Sequence, residues 1–507
     1  MAELTVIQQL SWIVLFAALW ICGLETASSW KNIKKHKQHP SIGKLTALTP
    51  LFILNAAFAR NASKLILQGY QQFKLRSFKL LRGDGSVVLL PLFLLDELST
   101  ISSTIASPHG ALEHDLLGKY TGLDIILENR LHHTIVQRKL TPRLSVMTPA
   151  LQRTLAASFK ECFPKTDEWV RFKPYEQFCR VAARLSAEAI VGPSFSHNET
   201  WLNFAVDYTE SLFKTIVVLR SFPEWMYPLL YRLLPSYWRC QGYIKTAKSL
   251  LGPQIQELIT KNDEESWTPS YEDKDLNVLT WLSVLAKGRD RNPESIAHVQ
   301  VLIALAAVHT TVLRMVNVLY DITAAGPALL EELREEINTA VNEYGWEGIP
   351  YDQLYKLDSV LRESQRMSPL TNGLHVSQGT YVCMPTYAIE NDPEYTPNPE
   401  LFDGLRSYRQ TVASDKQDGK AAKGFRFTNP APTVLNFGYG KTACPGRFFA
   451  GLILKMLFAR FLTQYDCKFL PSTKRPANMM VHEFLFPNPG QEMLIKENHR
   501  KQHNFEA

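Results

Sequence analysis

The stretch FGYGKTACPGRFFA, Phe437–Ala450, places one cysteine among three glycines and a proline, just ahead of an apolar run, GLILKMLFARFL. A helix N-terminus offers unpaired backbone N–H groups and the positive end of the helix dipole, which stabilise a thiolate at Cys444. Gly446 lets a neighbour approach the backbone, Pro445 fixes the turn, and Gly438 and Gly440 permit a tight loop. Phe437 can pack behind the sulfur and keep water away. No histidine is placed to serve as base for a nucleophile, so the pattern reads as a thiolate that ligates a metal from one side.

A single cysteine on a flat glycine loop suits haem iron better than zinc, which takes several protein ligands. The other cysteines give no competing framework. There are seven, at positions 22, 162, 179, 240, 383, 444 and 467, an odd number with no C-x-x-C. That argues against disulfides and for a reducing compartment.

At 507 residues, 45% hydrophobic and 21% charged, the chain has the composition of a large globular protein. A net charge of +6 spread over this length, without a dense Lys/Arg run, excludes nucleic acid as the expected partner. It suits an anionic membrane surface or an acidic protein. Leu10–Leu24 is almost wholly apolar; counted back to Leu4 it reaches about 30 Å as a helix, enough to span a bilayer. Lys31, Lys34, Lys35 and Lys37 follow it, and Glu3 is the only charged side chain ahead. Residues 1–30 are therefore expected to be a retained transmembrane anchor, with residues 31–507 as one cytoplasm-facing domain. The sequons at Asn61 and Asn198 are then expected to stay unglycosylated.

From about 120 to 345 nearly every periodic segment has the 3.6-residue period of helix. Ser295–Gly326, SIAHVQVLIALAAVHTTVLRMVNVLYDITAAG, is apolar on most faces and interrupted by His309, Thr310, Thr311 and Arg314, so it should run through the core. Strand signals are few. The aromatic stretch around Trp225 is open to three readings: a cap on a greasy pocket, a second membrane-touching surface, or a buried helix hairpin.

Three motifs together carry a resemblance. FGYGKTACPG is similar to the haem-binding loop of the cytochrome P-450 family, F-x-x-G-x-[R/H]-x-C-x-G, with Phe437, Gly440, Cys444 and Gly446 in the matching positions. Glu363 and Arg366 match its E-x-x-R motif, with Phe402 and Arg406 in the meander that follows; AAVHTT matches its oxygen-activating stretch. The resemblance covers most of the chain and is closest to filamentous-fungal, membrane-bound members. It implies a mainly α fold with a minor β-sheet, haem b lying between the long central helix and the cysteine loop, and Cys444 as axial ligand. It also implies a monooxygenase that oxidises a lipophilic small molecule, a fungal terpenoid, indole-terpenoid or polyketide, with electrons from NADPH through a flavoprotein reductase at the endoplasmic reticulum. Redox-neutral isomerisation or dehydration, and an inactive member, are the alternatives.

Thr310 matches the family's threonine, whose hydroxyl can bond a carbonyl one turn back and orient water. His309 stands where the family usually has Asp or Glu, and an imidazole could relay protons there. Ala306 and Ala307 leave room beside it. Two departures stand out. Thr442 replaces the usual Arg or His of the haem loop, and the segment after Pro369 is short, with His375 as a substitute basic residue. Arg138, near His133, is the candidate for the haem contact of the third major helix.

Overall fold

The long apolar run forms the expected axis. A computed structural model of the chain describes residues 23, 39–42, 51–82, 85–128, 130–222, 224–264, 269, 275–369, 374–378, 380–418, 425–482 and 484–499. Helix α9, Pro293–Ala325, starts where the Asn292 side chain accepts a hydrogen bond from the Glu294 N–H, with Pro293 in the first turn. It stops at Gly326, whose φ of 91° belongs to the left-handed region, and Pro327 opens the next helix directly. By length and composition α9 could cross a membrane, but 72% of its most apolar window is buried inside the protein, so it is a core helix. Each fully buried Val, Leu or Ile contributes about 1.5–3 kcal/mol, and α9 carries Val301, Val312, Val316 and Val318 at full burial.

The principal helices, in chain order, are α1 Leu51–Gln72, α2 Leu95–Thr100, α3 Pro108–Asp115, α4 Leu131–Ile135, α5 Leu144–Cys162, α6 Pro174–Ile190, α7 Glu199–Arg220 and α8 Pro235–Asp263. After α9 come α10 Pro327–Gly348, α11 Tyr355–Met367, α12 Thr386–Glu390, α13 Arg406–Asp418 and α14 Arg447–Gln464. α6, α7 and α8 all pack on α9, and α10 packs on α14. The strands stay minor. A five-stranded sheet runs in the order β1 (Ser41–Ile42), β2 (Phe78–Arg82), β3 (Gly85–Leu89), β6 (Thr380–Met384), β5 (Leu374–Gln378). β3 and β6 pair in parallel, Val87 opposite Tyr381, while β5 and β6 form a hairpin with His375 opposite Cys383. Smaller sheets join β4 (Val170–Phe172), β10 (Met493–Glu497) and β7 (Tyr465–Phe469), and β8 (Met479–Val481) with β9 (Phe484–Phe486). The mainly α expectation with a small sheet is met.

The acidic and basic residues of α11 hold the meander. Glu363 is 2% exposed; its carboxylate accepts from Arg366 Nη2 at 2.7 Å, Arg366 Nε at 3.0 Å and Arg406 Nε at 3.3 Å. The two guanidiniums reach on to the carbonyls of Pro399 (2.7 Å) and Pro397 (2.6 Å). An interior arginine pair on one carboxylate is thus built, and it holds residues 391–406. Glu331–Arg334, which has the same spacing, serves elsewhere: Arg334 ties α10 to the carbonyls of Leu462 and Tyr465. The end of α11 is pinned to α9, where buried Arg314 donates to the Ser368 carbonyl at 2.9 Å. Burial lowers the Arg314 pKa to about 10.

Most of the expected anchor, residues 1–30, lies outside the described residues, as do residues 370–373 of the shortened segment and the His375 side chain. Asn198 uses its side chain to cap α7, accepting from Trp201 N at 3.0 Å. Of the aromatic stretch, Tyr227 is buried against Tyr120, whereas Trp225, Leu229, Leu233 and Trp238 are exposed.

Candidate active site

The cysteine loop closes on itself. Cys444 N donates to the Phe437 carbonyl at 2.7 Å, and the Phe437 ring packs edge-on against Phe427 with centroids 5.1 Å apart. Gly440 has a φ of 59° and sits so close to α2 that a Cβ would come within 3.2 Å of Ser99. The left-handed φ favours glycine there, and a side chain would also press on Ser99. Gly446 is different: its backbone is ordinary, and a Cβ would meet the sulfur at 3.9 Å, a normal contact. Any demand for glycine at 446 comes from what occupies the cavity that it lines.

That cavity, about 620 Å³, is mostly apolar and lies between the loop and α9. Cys444, Pro445 and Gly446 form one wall; Ile303, Ala306 and Thr310 form the facing one. Ala306 and Thr310 are exposed in the mostly buried middle of α9, and Cys444 is exposed too, all three lining this cavity. Burial pushes the Cys444 thiol up, while the backbone N–H groups of Gly446 and Arg447 and the Arg447 charge favour the thiolate less strongly. Left to itself the thiol keeps its proton. A coordinating metal ion deprotonates such a thiol outright, so the donor arrangement fits a metal ligand and not a standing nucleophile. All six cysteines among the described residues are free.

The candidate residues divide. Thr310 faces the cavity and its Oγ1 donates to the Ala306 carbonyl, one turn back, at 2.6 Å, the geometry expected for it. α9 nonetheless continues unbroken through this turn. Phe437, Gly440, Cys444 and Gly446 come together in and behind the loop. His309 is placed elsewhere, correcting the relay expected of it. It is buried against α7, its Nε2 3.1 Å from the Val206 carbonyl oxygen, and does not line the cavity. Burial lowers its pKa. Arg138 is also corrected as a haem contact: it is exposed and away from the cavity. Arg138 lies five positions past His133, about 140° round a regular helix, so it is off the face that His132 and His133 present to the cavity. Thr442 lines the cavity, with its hydroxyl donating to the Tyr439 carbonyl at 2.9 Å.

Several cavity groups were not singled out from the sequence as haem or substrate contacts. His109, Arg130, His132, His133 and Lys441 all line it, and among the described residues no Asp or Glu does. The doublet His132–His133 beside Arg130 was the available signal. Deeper in, Glu390 is fully enclosed; its carboxylate accepts from Leu435 N at 2.7 Å and from the Asn436 amide, supporting the strand of chain that enters the cysteine loop. Burial raises its pKa to about 7 against the pull of Arg362 and Arg366.

A lone thiol in a closed loop, facing a hydroxyl-bearing core helix across an apolar cavity, defines a haem-thiolate oxidase chamber. The comparisons agree: the family model for cytochrome P-450 matches residues 121–495. A cytochrome P-450 monooxygenase of Emericella nidulans is 32% identical over 90% of this chain and 87% of its own length. One of Aspergillus flavus is 32% identical over 90% and 89%. An ent-kaurene oxidase of Fusarium fujikuroi is 28% identical over 96% and 93%. The chain belongs to the cytochrome P-450 family. It is an oxidoreductase of the monooxygenase class, its cofactor is haem with an axial thiolate, and the family works with a redox partner on lipophilic substrates.

Proposed function

We propose that the protein inserts oxygen into a lipophilic fungal secondary metabolite of terpenoid, indole-terpenoid or polyketide type, with NADPH electrons delivered by a flavoprotein reductase. The observation that supports this most directly is the apolar cavity shared by Cys444 and the Ala306–Thr310 face of α9. Cys444 would hold the haem iron, which when bound supplies the redox chemistry. Phe437 shields the loop from water. Thr310 holds a proton-bearing hydroxyl at the cavity wall, anchored on the Ala306 carbonyl, where it can orient water. Ile303 and Leu302 give the pocket its apolar surface.

The protein is read as anchored by residues 1–30 in the endoplasmic reticulum membrane, with its cavity domain in the cytoplasm. The exposed Phe222, Trp225, Leu229, Leu233 and Trp238 support contact with a lipid surface, where aromatic side chains are favoured. Expression with a fungal reductase, followed by mass spectrometry of candidate terpenoid and polyketide intermediates, tests the reading. A product heavier by one oxygen that requires both NADPH and reductase is expected. Conversion without either would replace oxygenation by a redox-neutral reaction.

A further inference from the structure

Thr310 is the first of four polar side chains on one face of α9. Arg314, Asn317 and Asp321 follow it at intervals of four, three and four residues, the spacing that keeps a helix face aligned. Arg314 is 3% exposed, Asn317 1% and Asp321 3%, so the row runs through the core. Its partners come from two other parts of the chain. At the end of α11 the Ser368 carbonyl accepts from Arg314 Nη2 at 2.9 Å. From the segment ahead of β8, Arg475 donates through Nε to Asp321 Oδ1, and through Nη2 to Asn317 Oδ1 and Ser368 Oγ, both at 3.2 Å. Asn478 Nδ2 donates to the same Ser368 hydroxyl at 2.7 Å. The row thus begins at the cavity wall with Thr310 and ends at Arg475, whose side chain is 25% exposed.

This row is not closed on itself. Arg314 Nη1 and Asn478 Oδ1 are buried with no hydrogen-bond partner, and Ser364 Oγ stands beside Asp321 without completing a bond to its Oδ2. A cluster that only tied segments together would satisfy its own groups, as Glu363 does with Arg366 and Arg406. Buried polar atoms left open are where ordered water sits in folded proteins. Side chains four residues apart on a helix start about 6 Å from each other, a gap that one water bridges between the Thr310 hydroxyl and the Arg314 guanidinium. The cavity needs such a supply. Among the described residues no Asp or Glu lines it, and His309 is turned away to α7.

We propose that Thr310, Arg314, Asn317, Asp321 and Arg475 line a water-holding conduit that carries protons from the protein surface to the oxygen-activating end of the cavity. Each water in it takes one proton from the surface side and passes one on, so the conduit is left unchanged and the net transfer is one proton from solvent. Arg314 and Asn317 are positioning residues: they hold water and do not touch the reacting atoms. The proposal rests on the monooxygenase reading of the cavity.

The full-length holoprotein is assayed with a fungal reductase and no added substrate, with NADPH and oxygen consumption followed together. Oxygen reduced to water takes two NADPH and two protons; oxygen reduced to peroxide takes one of each. NADPH used per oxygen therefore falls when protons are short. Arg314→Met and Asn317→Leu put apolar groups in the row and should lower the water-forming rate about tenfold, the effect of losing one charge-assisted hydrogen bond. Their ratio should move toward that of peroxide formation, and the solvent deuterium isotope effect should rise. Arg314→Lys, which keeps a charged donor, should restore much of the ratio. Circular dichroism and the carbon-monoxide band verify that each variant is folded and loaded. A merely structural role would lower the melting temperature and leave the ratio alone. Folded variants with the wild-type ratio, beside a lowered ratio in Thr310→Ala, would overturn the conduit and leave the reading of the cavity standing. A crystal structure of the holoprotein decides independently of turnover: ordered water on Arg314 Nη1 and Asn478 Oδ1 is expected, and dry packing there would overturn the proposal even if Arg314→Met fails to fold or no oxygen is consumed.

Discussion

Thr310 and His309 are neighbours in sequence yet do opposite things, because successive helix positions point about 100° apart. Thr310→Ala should leave haem incorporation intact and lower product formed per NADPH, with the difference appearing as peroxide; unchanged coupling would place proton delivery elsewhere. His309→Ala should instead lower the melting temperature, by the equivalent of about 1–3 kcal/mol, with coupling unchanged, since it removes the bond to Val206. Cys444→Ser should abolish the thiolate carbon-monoxide band, and a persisting band would move the ligand. Glu390 gives a pH prediction. Its raised pKa means that the folded state binds a proton that the unfolded state has lost between pH 4.5 and about 7. Stability from this group is therefore full below the unfolded value and fades as pH rises through about 7, by up to about 3 kcal/mol. Thermal melts of Glu390→Gln across that window should be flatter than those of the wild type, and parallel curves would refute the assignment. Cys444 was legible in the sequence because its loop composition has few other uses, and Thr310 because a hydroxyl in an apolar helix marks a purpose. The direction of His309 was not, since burial against α7 depends on which helix packs there.

At the scale of elements, α11 shows what sequence spacing does and does not decide. Two E-x-x-R matches exist, Glu363–Arg366 and Glu331–Arg334, and the resemblance assigns the first to the motif with Arg406 in the meander after it. The structure agrees, and Glu363→Ala should be severe: two guanidiniums would be left partly buried without their carboxylate, a loss of about 3–5 kcal/mol. Haem content after purification measures it; normal content would show that the meander is held by the carbonyl contacts alone. The bounds of α9 were readable to within two residues from Pro293 and Gly326 because capping is local chemistry. Arg138 was misplaced because five positions on from His133 is about 140° round a helix, off the face that meets the cavity.

At the scale of the whole molecule, the mainly helical reading followed from periodicity, but the cavity did not, since its rim is drawn from α2, α3, α4, α9 and the cysteine loop at once. Removal of residues 1–30 should release much of the protein from membranes with haem still bound, as measured by sedimentation and absorbance. Complete retention would assign the second anchor to the exposed aromatics around Trp225. The parallel pairing of β3 with β6 has a further consequence, for the time course of synthesis. β3 leaves the ribosome nearly three hundred residues before its partner, Tyr381 opposite Val87. Through that interval it presents an open apolar edge, a template for pairing with other nascent chains. The order of the gene thus makes this protein dependent on folding helpers while it is being made, and translation stalled near residue 370 should yield aggregates rather than a half-built enzyme.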